Sequence, residues 1–124
     1  MFLSDMKKVL VVEDHPDMRK LLSLELELMG FEPITARGGK EGVEKALSEK
    51  PHLVLLDICM PDMDGRDVAR ILRARPETKD IPIVAETALS NQRDLNSCLQ
   101  AGCDDCLVKP FTYKDLEEKL HALI

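Results

Sequence analysis

The chain has 124 residues, 44% of them hydrophobic and 32% charged, with a formal net charge of −6. That length supports one domain with one core and is too short for two. The acidic balance argues against a nucleic-acid surface, which clusters Lys and Arg, and no apolar run approaches the roughly 20 residues that span a bilayer. The first residues lack the long apolar region of a signal peptide, so a cytoplasmic protein with four reduced cysteines is expected.

Strand-like and helix-like stretches alternate along the whole chain. Val9-Leu10-Val11-Val12 predicts a strand over 9–12 that stops at Glu13-Asp14. A helix follows over 17–29. Met18, Leu21, Leu24 and Leu28 share one face of it, Leu22, Leu26 and Met29 widen the stripe, and Gly30 ends it. The stretch 32–35 reads as a short edge strand, because Pro33 cannot donate a ladder bond. A helix over 39–48 turns Val43, Ala46 and Leu47 inward. Leu53-Val54-Leu55-Leu56 is apolar throughout, so it should be a central strand covered on both faces, and it stops at Asp57. Asp64-Gly65 opens a helix that runs through Ala74 and buries Val68, Ile71 and Leu72; Arg75-Pro76 ends it. A fourth strand spans 81–86 and stops at Thr87. Ser90 is the expected cap of a helix reaching Ala101, with Gly102 as its terminator. Cys106–Val108 is the fifth strand and stops at Lys109-Pro110. Thr112 caps a last helix that turns Leu116, Leu120 and Leu123 inward.

Five strand–helix units without linker or repeat imply a parallel sheet with right-handed crossovers. Five units are too few for a closed barrel. The expected fold is therefore α/β: a doubly wound five-stranded parallel sheet, flavodoxin-like, with strand order 2-1-3-4-5. Ligands of such sheets bind outside the carboxyl ends of the strands. Glu13, Asp14, Asp57, Thr87 and Lys109 all fall at that edge. Clustered carboxylates call for a cation, and a lysine with a hydroxyl calls for an anion such as phosphate. Adjacent strands lie about 4.8 Å apart, so acids ending strands one and three can share one ion. A lysine stem of about 6 Å spans most of the roughly 10 Å between the fifth strand and Asp57.

Four segments carry a family resemblance. They are Val-Val-Glu-Asp over 11–14, Asp-Ile-Cys-Met-Pro-Asp-Met-Asp-Gly over 57–65, Ile-Pro-Ile-Val-Ala-Glu-Thr-Ala over 81–88, and Gly-Cys-Asp-Asp-Cys-Leu-Val-Lys-Pro-Phe over 102–111. Each alone is a weak pattern, but all four in this order and spacing are specific. On them the chain resembles the receiver domains of two-component response regulators over 1–124. The resemblance implies that Asp57 accepts a phosphoryl group from a sensor histidine kinase or phosphotransfer protein. It implies Mg²⁺ held by Asp14, Asp57 and the backbone carbonyl of Cys59, with Glu13 acting through a metal-bound water. Thr87 and Lys109 would contact the phosphoryl group, and a cis peptide would precede Pro110. The expected role is a phosphorylation-controlled signalling module with slow autophosphatase activity, an unidentified downstream partner, and no nucleic acid or membrane bound by this domain. The chain stops where the resemblance stops. No output domain is expected within it, and the start at Met1 favours a stand-alone regulator.

The same residues bear on rival readings. A phosphohydrolase of the haloacid dehalogenase type would carry a second acid two residues after Asp57, where Cys59 stands. A flavodoxin would have a Ser/Thr/Gly-rich loop in place of Glu13-Asp14-His15-Pro16, which repels phosphate. A phosphorylation-independent binding module would have lost an acid or the lysine. Asp62 and Asp64 read as turn and cap residues. His15, His52 and His121 read as surface residues, and Arg66, Arg70 and Arg73 as a solvated helical face. Cys98, Cys103 and Cys106 lack a fourth zinc ligand and read as small packing groups. Cys106 stands where receivers commonly carry Tyr or Phe and is too small to swing across the surface. Glu86 reads as a strand-end carboxylate reaching solvent. Cys59 and Leu89 offer no amide or carboxylate to align a hydrolytic water, so a long-lived phosphorylated state is expected.

Overall fold

The structure, a computed structural model, describes residues 6–88 and 90–124. Its elements run β1 (Lys8–Val12), α1 (Pro16–Leu28), β2 (Glu32–Ala36), α2 (Gly39–Glu49), β3 (Leu53–Asp57), α3 (Gly65–Arg73), β4 (Ile83–Thr87), α4 (Gln92–Ala101), β5 (Asp105–Val108) and α5 (Tyr113–Leu123). All pairings are parallel, in the order β2-β1-β3-β4-β5 expected from the alternation. The order reverses between β1 and β3, which places the end of β1 beside the end of β3.

Strand side chains alternate between two cores. Leu10, Val12, Val54, Leu56, Ile83 and Ala85 pack under α2, α3 and α4 with Val68, Leu72 and Cys98. Val9, Val11, Leu53, Leu55, Val84 and Leu107 pack under α1 and α5 with Leu22, Leu26, Leu116 and Leu120. β3 is buried at every position, as a fully apolar central strand requires.

Three local expectations are corrected. In α1 the packed face is Met18, Leu22, Leu26 and Met29, while Leu21, Leu24 and Leu28 lie exposed. Both faces are leucine-rich, so the sheet rather than the helix period chose between them. β4 begins at Ile83 and reaches Thr87; Pro82 lies outside it, although its carbonyl accepts from the Val54 N–H at 2.9 Å. The cap of α4 is Asn91, whose side chain accepts from the Asp94 N–H at 2.9 Å, rather than Ser90. Thr112 caps α5 as expected, in a reciprocal capping box with Asp115.

The arginines of α3 do more than face solvent. Arg73 donates to the carbonyls of Gly102, Lys79 and Ile81 and pairs with Asp104 at 2.8 Å, tying α3 to the loops around β4 and β5. Arg66 pairs with Asp64 and donates to Ser97 of α4. Asp62 caps α2 across the fold, accepting from the Gly39 and Lys40 N–H groups at 3.1 Å each. All four cysteines are free thiols. Burial pushes the Cys103 thiol up to about 12 and the Cys106 thiol up to about 11, which suits packing groups.

Gly65 fixes the loop over the site. A Cβ there would lie 2.4 Å from the Asp57 carbonyl oxygen and 2.7 Å from the Ile58 Cα, both backbone atoms. Only glycine lets the start of α3 close against the end of β3, with the Gly65 N–H donating to the Ile58 carbonyl at 2.8 Å.

Candidate functional site

The ends of β1, β3, β4 and β5 bring most of the expected residues into one pocket. Glu13 follows β1 and is fully buried; its N–H donates to the Ala36 carbonyl at 3.0 Å. Asp57 is the last residue of β3 and is 2% exposed. The Cys59 N–H donates to Asp57 Oδ1 at 3.3 Å, while the Cys59 side chain itself is exposed. Lys109 reaches across from β5, placing Nζ 3.4 Å from Asp57 Oδ1 and 3.5 Å from Glu13 Oε1. The lysine therefore closes the gap its stem length allowed. The Lys109–Pro110 peptide is cis, as the resemblance implied. Thr87 ends β4, is buried, and accepts through its carbonyl from the Lys109 N–H at 2.8 Å. Leu89 lies outside the described residues.

Asp14 stands at the mouth, with Arg19 beneath the turn donating to the Glu13 and Asp14 carbonyls. His15 is an exposed side chain that nevertheless belongs to the cluster. Its Nδ1 lies 3.3 Å from Glu13 Oε2 and 3.5 Å from Asp14 Oδ1. Sequence gave no spacing for this contact, which a tight turn after β1 creates.

The larger correction is Glu86. It does not reach solvent: it is 0% exposed, and neither carboxylate oxygen has a hydrogen-bond partner among the described residues. Its Oε1 lies 3.8 Å from Lys109 Nζ. Strand alternation explains the placement. Glu86 follows Val84 on the α1/α5 face of β4, opposite Asp57 in register, and lies beneath the lysine.

Crowding sets the electrostatics. Burial, then the hydrogen bond and charge of Glu13, push the Asp57 carboxyl up to about 7 against the pull of Lys109. Burial and the charge of Glu13 push Glu86 well above the usual carboxylate range. Burial also opposes ionisation of Glu13, but its hydrogen bonds to Asp57 and the His15 N–H, with the charge of Lys109, outweigh that and hold it low. Burial disfavours the Lys109 charge, and the carboxylates of Asp57, Glu86 and Glu13 more than offset it.

The pocket fits a hard cation. Ligand atoms of Glu13, Asp14, His15 and Asp57 lie within 4.8 Å of one another. Asp14 Oδ1, 3.5 Å from His15 Nδ1, and Asp57 Oδ2 are buried without hydrogen-bond partners among the described residues. Buried polar atoms are nearly always paired, so carboxylate oxygens without hydrogen bonds in one acidic cluster mark a place for a positive ligand.

An open parallel sheet with acids at its switch point and a lysine two strands away defines a phosphoryl-handling signalling domain rather than a cofactor carrier. The sequence profile of the response regulator receiver domain matches residues 9–121, and the chain belongs to that family. It is 41% identical over 118 residues to the probable transcriptional regulator ycf27 of Cyanophora paradoxa, covering 95% of this chain and 48% of that protein. It is 36% identical to the alkaline phosphatase synthesis transcriptional regulatory protein PhoP of Bacillus subtilis, again covering 95% of this chain and 48% of that protein. The chain thus spans about half the length of these relatives. Among solved structures, chemotaxis protein CheY4 of Vibrio cholerae superposes with a TM-score of 0.91 at 29% identity, over 96% of this chain and 99% of that one. The receiver domain of the sensor histidine kinase PA1611 of Pseudomonas aeruginosa superposes with a TM-score of 0.88 at 31% identity, over 95% and 97%. That structure holds a magnesium ion coordinated in its active site cleft.

Proposed function

We propose that Asp57 is the phosphoryl acceptor of this receiver and that a histidine kinase or phosphotransfer protein is the donor. One observation carries the assignment: Asp57 Oδ1 is held by the Cys59 N–H and Lys109, while Oδ2 has no hydrogen-bond partner among the described residues. The carboxylate is oriented at Oδ1, and one of its two oxygens would be the nucleophile while the other serves the metal. The attacking oxygen would form a bond to phosphorus, the P–N bond to the donor imidazole would break, and the electron pair would leave with that ring. Asp14, Asp57 and the Cys59 carbonyl would hold Mg²⁺, with Glu13 behind them; bound there, the ion offsets charge on the phosphoryl oxygens. Lys109 would shift from shared carboxylates to a phosphoryl oxygen, and the Thr87 hydroxyl would take another. Loss of the phosphoryl group to water, catalysed slowly by the same pocket, resets the switch. Free thiols accord with a cytoplasmic setting. The relatives are called transcriptional regulators, so the downstream element is read as a DNA-binding region outside the segment they share with this chain.

Acetyl phosphate with Mg²⁺ should add one phosphoryl mass to the intact protein, and chelation of the metal should block it. No mass gain with either donor chemistry, acetyl phosphate or a phosphohistidine protein, would remove this reading.

Mg²⁺ should also stabilise the fold before any phosphorylation, because it relieves repulsion among crowded acids. At a tenfold excess over Kd the gain is about 1.4 kcal/mol. The melting temperature should rise with Mg²⁺ in the parent and stay flat in Asp14→Ala; equal shifts in both would place the ion elsewhere.

Lys109→Ala should keep Mg²⁺ binding but lose the conformational response to phosphorylation, because the lysine that follows β5 reaches Asp57 Oδ1 at 3.4 Å. Near-identical NMR shift changes on phosphorylation in mutant and parent would contradict that role.

Cys59→Asn should shorten the phosphorylated lifetime by supplying an amide that aligns water. Decay is followed after removing the donor at constant Mg²⁺, and an unchanged rate would dismiss water alignment at this position.

A further inference from the structure

His15 brings a ring nitrogen to a cluster that otherwise offers carboxylates, and phosphoryl transfer at Asp57 gives it no task. It stands at the N-cap of α1, yet its side chain caps no N–H there. The exposed ring instead turns back, with Nδ1 3.3 Å from Glu13 Oε2 and 3.5 Å from Asp14 Oδ1. The His15 backbone N–H donates to the same Glu13 oxygen at 3.2 Å, which holds the turn against the acids. Asp57, 2% exposed, adds a buried oxygen, Oδ2, with no hydrogen-bond partner among the described residues. Ligand atoms from all four residues lie within 4.8 Å of one another.

These spacings discriminate between ions. Tetrahedral ligands at zinc bond lengths of about 2.1 Å stand about 3.4 Å apart. Adjacent ligands of an octahedral Mg²⁺ stand about 2.9 Å apart, and that ion keeps oxygen ligands and several waters. The imidazole contacts, at 3.3 and 3.5 Å, match the tetrahedral spacing. Imidazole also suits zinc and its d-block neighbours, whereas carboxylate and water suit Mg²⁺.

We infer that His15 makes this pocket a second kind of metal site, a closed one for zinc or a similar d-block divalent ion, held by Glu13, Asp14, His15 Nδ1 and Asp57. With its proton on Nε2 the ring offers Nδ1 as a ligand. Three carboxylates alone bind either ion; the imidazole adds affinity for one of them. Four protein ligands complete a tetrahedral shell and leave no position open for a phosphoryl oxygen. The ion also engages the carboxylate that would attack phosphorus. Zinc therefore competes with Mg²⁺ and blocks loading of the switch. The blocking rests on Asp57 as phosphoryl acceptor; the zinc binding does not.

Isothermal titration calorimetry of Zn²⁺ and of Mg²⁺ into the parent and His15→Ala reads the binding without a phosphodonor. His15→Ala should bind Zn²⁺ at least about tenfold more weakly, while its Mg²⁺ affinity falls less than about threefold. The side chain is exposed and caps nothing, so its loss leaves the fold intact, which matching circular dichroism checks. Co²⁺ in place of zinc reports the geometry: a four-coordinate site absorbs strongly in the visible, and His15→Ala should lose that band. With acetyl phosphate and Mg²⁺ present, Zn²⁺ should suppress phosphoryl labelling of the parent, and His15→Ala should need at least about tenfold more zinc for the same loss. Equal zinc affinity in both proteins would assign the ion to thiols or carboxylates and overturn the proposal. Equal falls in zinc and Mg²⁺ affinity would overturn it too, as would a faint, octahedral Co²⁺ spectrum in the parent. Zinc that binds through His15 without reducing labelling would overturn the blocking role. A parent that binds zinc through His15 but gains no phosphoryl mass in Mg²⁺ alone would uphold the zinc site and remove only the acceptor assignment.

Discussion

Asp57→Asn should take up no phosphoryl group from acetyl phosphate and Mg²⁺, against one equivalent in the parent. The substitution keeps shape and removes only the anionic oxygen, so folding does not confound the result. The buried carboxylates beside it are poorly placed to replace it. Glu13 is fully buried behind it, and Glu86 lies beneath Lys109 without a path to solvent. Surface acids such as Glu41, Glu49 and Asp105 pair with a lysine but stand outside the cluster of Glu13, Asp14 and His15 that could hold a metal ion beside Asp57, and metal and lysine together supply much of the rate in phosphoryl transfer. Intact mass after equal exposure to donor is the measurement. A full equivalent on the mutant would assign the acceptor to another residue. The same variant should also be more stable than the parent without metal near neutral pH. A group held near 7 in the fold and near 3.8 when unfolded adds stability that is complete below the lower value and lost as pH rises through the higher one. Asparagine has no such loss.

Glu86→Leu should raise the stability of the metal-free protein by roughly 1–4 kcal/mol near pH 8, a shift of several degrees in melting temperature. The native carboxylate is 0% exposed and has no hydrogen bond at either oxygen among the described residues. Among the described residues the one cation close to it, Lys109, is already shared with Glu13 and Asp57. Ionising it there costs more than the shared lysine at 3.8 Å returns, and a leucine of similar size would join Val84 and Leu107 on that face. The sign of the pH dependence follows from the upward shift. Glu86 contributes stability that is complete below its unfolded value of about 4.5 and lost as pH rises toward its higher folded value. The advantage of the mutant should therefore grow from pH 5 to pH 8. Thermal unfolding in chelator at both pH values tests it. A mutant less stable than the parent at pH 8 would mean that Glu86 is required to hold Lys109, and that the pair outweighs its desolvation.

The place of the site was legible in the sequence because it depends on order alone. Each apolar run stops at a chemically capable residue, and parallel strands put all such stops on one edge. That argument puts Asp57, Glu13, Asp14, Thr87 and Lys109 at the edge, while the expected strand order came from the doubly wound fold class. Alternation determines which edge those residues share before any contact is made.

What the sequence could not decide are choices between equivalent local options. In α1 leucines occupy both helical faces, so periodicity supports either; only packing on Val9, Val11 and Phe31 selects Leu22 and Leu26 and leaves Leu21, Leu24 and Leu28 outside. Glu86 at a strand end could face water or core. The extension of β4 to Thr87 and the path of Lys109 over it turned it inward. His15 joined the acids only because the turn after β1 folds back on Glu13. Sequence periodicity fixes which residues share a face or an edge; burial, and with it charge state and partner, depends on what the rest of the chain lays across that face.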